Sequence, residues 1–229
     1  MKLRNLFVLF LTVVVFAAIS TPAMAGDKVV KRVPAGAVAF HFVGDLAYVS
    51  PPELVGYIAF IEGVDDSLFA GEPSKDTAYF TLRITSDMPV PISMPSELDP
   101  ELGLSLLLPG AQFTVYFNPY PTSRSWSNPD DFEQGEPIAV FEESALLSNS
   151  GSSASFNTFS SRLISSTPID FGGQKINFRK LVPNGVTTTN FGNGARFREY
   201  NGTAGSSFGA TAIAIGGGLK NEGGDDSDD

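Results

Sequence analysis

Strict alternation of apolar and polar residues constrains the fold of this chain more than any other feature of its sequence. In the run 78–85 one face carries Phe80, Leu82 and Ile84, and the opposite face carries mostly polar side chains. The run 111–118 repeats this pattern. A period of two in aromatic and β-branched residues is typical of half-buried strands. Because no helical apolar period is sustained for three turns beyond the N-terminal region, the sequence predicts an all-β fold.

Turn-forming residues separate the alternating runs. Asn-Gly pairs at 184–185, 193–194 and 201–202 are the strongest of these signals, because such pairs favour tight hairpins. Further strands are predicted at 38–43, 55–61, 138–141, 155–164, 175–180, 195–200 and 208–215. Helical turns are predicted only at 96–99 and 128–132. The fold prediction is a single antiparallel β-barrel or β-sandwich of about eight to ten strands, since alternation looks alike in both.

The first 25 residues are typical of a secretory signal peptide. Lys2 and Arg4 precede an apolar run at 6–19, and Ala23-Met24-Ala25 matches the small residues of a cleavage site. The run is shorter than the ~20 residues that a membrane-spanning helix needs. We therefore predict cleavage after Ala25, export to the periplasm or the exterior, and no membrane-spanning segment in the mature chain.

The sequence divides into three parts by composition. The predicted signal peptide at 1–25 is followed by one all-β domain at 26–215 and by a tail at 216–229 that is rich in Gly and Asp. This tail has too little apolar area to bury, so it is predicted to be disordered. A leader of this form, on a chain without cysteine, favours a bacterial exported protein.

Composition excludes several classes of function. The 229 residues include no Cys and one His, which removes disulfides, thiolate nucleophiles and cysteine or multi-histidine metal sites. The formal net charge of −10 argues against nucleic acid as a partner, because phosphate binding needs a basic surface. No cofactor motif is present, and none is predicted.

His41 is the one imidazole that could take part in catalysis. It lies on a predicted strand between Phe40 and Phe42. It could act as a general base inside a barrel, or it could lie on an ordinary sheet face and be hydrogen-bonded by a neighbour; we favour the second interpretation. Asp130, Asp131, Glu133 and Glu136 form an acidic loop, but their order differs from that of a calcium loop, so no metal site is predicted.

An aromatic, proline-rich segment is the strongest candidate for a contact surface. It contains Tyr116, Tyr120, Arg124 and the single tryptophan, Trp126. Aromatic and arginine side chains are enriched in binding surfaces because they lose little entropy on contact. These four residues are the predicted binding residues. The alternative is that Trp126 folds back and plugs one end of the β core.

Three hypotheses for function follow from these features. The first is an exported protein without catalytic activity that binds an apolar small molecule or a cell-surface component, because the chain has 19 phenylalanines and few catalytic groups. The second is a structural, matrix-associated protein, and the third is a cyclase or isomerase that holds an apolar substrate inside a barrel. No residue motif links the chain to a family, and the oligomeric state is left open.

Overall fold

The strands predicted from alternation form one large closed sheet. The structure is a computed structural model that describes residues 28–47, 53–85, 92–95, 103–107, 110–126, 128–150, 155–192, 198–200 and 203–216. The predicted signal peptide, the acidic tail and the predicted helical turn at 96–99 lie outside these residues. The all-β prediction is confirmed, and the sheet is a barrel.

Eight antiparallel strands form the barrel, in the order in which they occur along the chain. They are β2 (Val38–Ala47), β3 (Glu53–Ile61), β4 (Phe80–Thr85), β7 (Gln112–Phe117), β8 (Glu136–Ser150), β9 (Ser155–Ser166), β12 (Val186–Gly192) and β14 (Thr203–Ala214). Each pairs with the next, and β14 pairs with β2 to close the ring. Closure leaves no free edge on the barrel strands, which distinguishes this fold from a sandwich.

Short strands extend the barrel at one end. β5 (Ile92–Pro95) and β6 (Gly103–Leu107) form an antiparallel pair, and β6 continues along the edge of β8 beyond β7. β13 (Arg198–Tyr200) pairs with the first residues of β14. These additions lengthen the hairpins at the end of the barrel where β2, β8 and β12 finish.

The opposite end of the barrel is closed by a small sheet and a helical turn. β1 (Lys28–Val29), β10 (Ile169–Phe171) and β11 (Gln174–Ile176) form the sheet, and α1 (Phe178–Leu181) follows it. The completely buried ring of Phe178 lies 6.0 Å from that of Phe40 and 6.1 Å from that of Phe141, between ring centroids. This end is therefore plugged by apolar side chains.

Several strands differ from the predictions, and the short strands β1, β5, β6 and β10 were not predicted. The run 175–180 was predicted as a strand, but only its first residues are extended before α1 begins. The side chain of Asn177 accepts a hydrogen bond from the backbone N–H of Arg179 at 2.8 Å, and this cap starts the helical turn. The segment 186–192 was not predicted as a strand, although β12 completes the ring.

A glycine in the turn before β12 allows the backbone to pass close to β9. At Gly185, just before β12, φ is +90° and an added Cβ would lie 1.9 Å from the carbonyl oxygen of Ser161. Only glycine fits this position, because other residues rarely adopt positive φ and would also clash with β9. The Asn-Gly pair at 184–185 thus leads the chain into β12.

Candidate functional site

The inside of the barrel has two walls of different chemistry. The apolar wall consists of β2, β3, β4 and β7, which are neighbours in the sheet. Its inward, buried side chains are Phe40, Phe42, Leu54, Ile58, Ile61, Phe80, Leu82, Phe113 and Val115. Ring centroids of Phe42 and Phe113 are 5.8 Å apart, and those of Phe113 and Phe141 are 5.3 Å apart and stacked. Contacts between rings line this side of the interior and continue to Phe141 on β8.

The polar wall consists of the other four strands, β8, β9, β12 and β14. Its buried polar residues are Glu143, Asn157, Ser161, Thr188 and Asn190. Glu143 is directly opposite Ser161 in the β8–β9 pair, and Asn157 is directly opposite Asn190 in the β9–β12 pair. Successive residues of a strand point to opposite faces, and these polar side chains share a face with core residues such as Phe159 and Ala212. They therefore face the interior.

Small apolar residues accompany the polar groups on this wall. The inward side of β14 carries Ala210, Ala212 and Ala214 together with Phe208, whose ring contacts that of Phe42. Ala210 is opposite Asn190, and Ala212 is opposite Thr188. The polar groups of β12 therefore have small side chains on β14 as neighbours, while Phe159 of β9 lies opposite Thr188 on the other side.

Two hydroxyl groups on the polar wall lack a hydrogen-bond partner within the described part of the chain. Ser161 Oγ and Thr188 Oγ1 are both buried, and neither makes a hydrogen bond to another described group. Nearby, the amide Nδ2 of Asn157 donates to Oδ1 of Asn190 at 2.6 Å. Buried polar groups in folded proteins nearly always have partners, so the two hydroxyls mark a place where a further polar group would be stabilising.

Glu143 is the ionisable group of the interior. It is 6% exposed, and burial raises the pKa of its carboxyl from 4.5 to about 7, because the charged form is poorly solvated there. Its carboxylate makes no hydrogen bond or ion pair to another described residue, and the inward residues described on the eight strands include no Lys, Arg or His. The preceding residue, Glu142, points outward and pairs with Arg162.

Residual exposure indicates which part of the interior is accessible. Glu143, Asn157 and Asn190 keep 5–7% of their surface exposed, whereas Ser161 and Thr188 are 1% and 0% exposed, like the rings of Phe40 and Phe141. Asn157 and Asn190 lie toward the end of the barrel where β12 finishes, opposite the end that α1 plugs. The site thus has a plugged base, an apolar wall and a polar wall.

The four residues predicted to bind a partner lie outside the barrel. Tyr116 lies on β7, and the other three lie in the segment that connects β7 to β8, whose 3₁₀ helix (Pro129–Phe132) covers the outer face of β3 and β4. Trp126 stacks on Phe132 with centroids 4.9 Å apart and lies 6.4 Å from the ring of Tyr57. This indole therefore packs against the outer wall of the barrel and does not plug its end.

The other three predicted residues differ in their surroundings. Tyr116 is half-buried on β7 and donates a hydrogen bond to Glu133 at 3.2 Å. Arg124 is buried: its backbone N–H donates to Asp76 at 2.6 Å, and its guanidinium donates to the carbonyl oxygen of Lys75. Tyr120 is 82% exposed. The structure thus brings Tyr116 and Trp126 to one outer face, while Tyr120 projects from the loop.

His41 and the acidic loop also lie on the outside. The His41 ring is 3.0 Å from the hydroxyl of Thr211, between Nδ1 and Oγ1, so the interior role considered for it is wrong and the sheet-face interpretation is confirmed. Arg83 contacts Asp130 at 2.9 Å and Glu133 at 3.1 Å. Within the described residues, no group of three or more potential ligands is placed to hold a metal ion.

Sequence reasoning missed the polar wall. An inward polar residue on a strand cannot be distinguished in the sequence from an outward one. The sequence therefore does not show which residue is buried in Ser160-Ser161 or in Thr187-Thr188-Thr189. The signal that could have found them is Glu142-Glu143, where alternation from the buried Phe141 places one of two adjacent acids inside.

Comparison of the chain with protein-family models, curated proteins and solved structures found no match in any of the three. No helix of the described chain has the length and apolar character needed to cross a membrane. The argument for function therefore depends on the site itself.

Proposed function

We propose that this protein binds an amphipathic small molecule inside the barrel, with the apolar part of the ligand on the apolar wall and its polar part on the polar wall. The observation that carries the proposal is the pair of buried hydroxyls, Ser161 Oγ and Thr188 Oγ1, that lack partners among the described residues. Together with the predicted leader, this describes an exported binding protein.

The energetic argument concerns the cost of leaving these groups unpaired. A buried polar group without a partner costs about 1–3 kcal/mol relative to one that is hydrogen-bonded. A ligand that donates to or accepts from these hydroxyls removes that cost, and its apolar part is favoured by about 25 cal/mol for each Å² taken out of water. Both contributions point to a ligand with one polar end and an apolar body.

The alternation of the strands supplies matched variants for a test. Thr188→Val removes the inward hydroxyl, and Thr189→Val removes an outward hydroxyl from the next residue of the same strand. Ser161→Ala and Ser160→Ala form a second such pair on β9. In each pair the two substitutions change the same chemistry at adjacent positions, so a difference between them reports on the interior.

The experiment measures binding of N-phenyl-1-naphthylamine, a neutral fluorescent lipophile with one N–H donor, by titration of the purified protein. We expect saturable binding that Thr188→Val weakens about tenfold, the equivalent of one lost hydrogen bond of about 1.4 kcal/mol. Thr189→Val should leave the affinity unchanged. Absence of saturable binding, or equal effects of the two variants, would contradict an interior site; ordered water would then account for the hydroxyls.

A further inference from the structure

The carboxyl of Glu143 inside the barrel indicates which charge the head group of an amphipathic ligand should carry. Glu143 presents the one carboxyl found on the described inward surface, and no basic side chain faces it there. The acid of the neighbouring position, Glu142, is neutralised on the outer surface by Arg162. Among the described inward residues, Glu143 is therefore an acid without a counter-ion, which is unusual because buried charges are normally paired.

We propose that the ligand is an amphipathic amine, whose cationic head pairs with Glu143 while its apolar body lies against the phenylalanines of the apolar wall. This inference rests on the proposed function and assigns the chemical class of the ligand. The hydroxyls of Ser161 and Thr188 can accept hydrogen bonds, as an ammonium head with three donors requires. Ser161 is directly opposite Glu143, and Thr188 faces the interior on β12, the strand that follows β9 in the ring.

The same arrangement disfavours anionic amphiphiles such as fatty acids. A carboxylate head placed on the polar wall would meet the carboxyl of Glu143 and no cation among the described inward residues. Like charges that approach in a poorly solvated interior repel, and an unpaired buried charge is costly. A neutral alcohol has neither the advantage of the amine nor the penalty of the acid, so it serves as the reference ligand.

The test compares three probes that share one ring system and differ in the head group: 2-naphthylmethylamine, 2-naphthalenemethanol and 2-naphthoate. Their dissociation constants are measured by isothermal titration calorimetry with the full-length mature protein at one pH above 7. We expect the amine to bind about tenfold more tightly than the alcohol, and the carboxylate to bind most weakly, since a charge-assisted hydrogen bond exceeds a neutral one by about this amount.

Two variants link the selectivity to one side chain. Glu143→Gln preserves the shape of the residue and should abolish the advantage of the amine, while the affinity for the alcohol stays within about twofold. Glu142→Gln removes an acid from the outer face of the same strand and should leave the order of the three probes intact. Because the three probes are also compared in the unmodified protein, the test does not depend on the folding of either variant.

The outcomes separate this inference from the proposed function. If the three probes bind equally, or if 2-naphthoate binds as tightly as the amine, the amine class is wrong, while the comparison of Thr188→Val with Thr189→Val still decides on the interior site. If N-phenyl-1-naphthylamine binds but none of the three probes does, the amine class is likewise wrong. If neither that dye nor any of the three probes binds, both proposals fail. An amine preference that persists in Glu143→Gln would show that another group provides the selectivity.

Discussion

The two walls of the barrel use the same backbone architecture for different purposes. Each consists of four neighbouring antiparallel strands, and each turns alternate residues inward. The apolar wall is covered by rings and branched side chains in mutual contact, with Phe113 lying close to Phe40, Phe42 and Phe141. The polar wall carries an acid, two amides and two hydroxyls among alanines and larger apolar side chains such as Phe141, Phe159 and Phe208. Apolar packing therefore reaches both walls, and the buried unpaired hydroxyls of the described strands lie on one of them.

From this difference we expect the rings of the apolar wall to stabilise the fold and the polar groups of the polar wall to serve the proposed binding. A buried ring of the apolar wall should contribute mainly to folding, because it makes its contacts with other rings of the protein. A buried, unpaired polar group of the polar wall should contribute little to folding or even oppose it, because it loses hydration without gaining a partner. Removing such a ring and removing such a polar group should then change the free energy of unfolding in opposite directions.

The largest effect is expected from the apolar wall. Phe113→Ala removes a ring that is 1% exposed, and it should lower the free energy of unfolding by about 3–5 kcal/mol through lost burial and a residual cavity. Urea unfolding followed by far-UV circular dichroism measures this change. Gln112→Ala, at the exposed outward position before it, should change stability by less than about 0.5 kcal/mol. A loss below about 1 kcal/mol for Phe113→Ala would show that this wall is not closely packed.

An intermediate effect is expected at Glu143, and its size depends on pH. The pKa of this carboxyl is about 7 in the folded protein and 4.5 when unfolded, so the folded state retains the proton more strongly between these values. The free energy of unfolding therefore decreases as the pH rises from about 4.5 to 7, by roughly 3 kcal/mol for this group, and changes no further above that range.

Glu143→Gln should remove this decrease. The variant should match the unmodified protein near pH 4.5 and exceed it in stability above pH 7, because the amide is never charged. Urea unfolding across this pH range measures the difference, with Glu142→Gln as the control for other titrating groups. Equal pH profiles for the unmodified protein and Glu143→Gln would show that the carboxyl is solvated or paired in solution.

The smallest effect is expected at Thr188. In the absence of ligand, Thr188→Val replaces a buried hydroxyl without a described partner by a methyl group, and it should raise the free energy of unfolding by about 1 kcal/mol. Thr189→Val, on the outer face, should stay within about 0.5 kcal/mol of the unmodified protein. Thermal unfolding of both variants provides the comparison. Destabilisation by Thr188→Val would mean that the hydroxyl already has a partner in the free protein.

Much of the apolar wall could be predicted from the sequence, whereas the polar wall could not. Alternation correctly placed Phe80, Leu82 and Ile84 on one face of a strand, because apolar residues at every second position have only one way to be buried together. The strand predicted at 55–61 is covered on its outer face as well, where the completely buried Val55 packs against Phe132.

The polar wall depends on information that is not local. β12 begins Val186-Thr187-Thr188-Thr189, and three consecutive threonines show no alternation, so neither the strand nor its buried face is apparent. Only pairing with β9 and β14 turns Thr188 inward. The composition of the loop containing Trp126 predicted a binding surface. In the structure, Trp126 and Phe132 cover the outer face of β3. This contact joins distant segments of the chain, and composition does not specify it.

The order of the strands has a consequence for the covalent continuity of the chain. Seven of the eight pairings in the ring join strands that follow one another, and the eighth joins β14 to β2. Beside that seam, the backbone N–H of Gly36 donates to the carbonyl oxygen of Ala214, and that of Ala214 donates to Ala37, each at 2.9 Å. The beginning and end of the barrel thus lie side by side. The first and last strands of the barrel are neighbours in a closed ring of pairings. A circular permutation could therefore join them and open the chain at another hairpin without changing which strands pair.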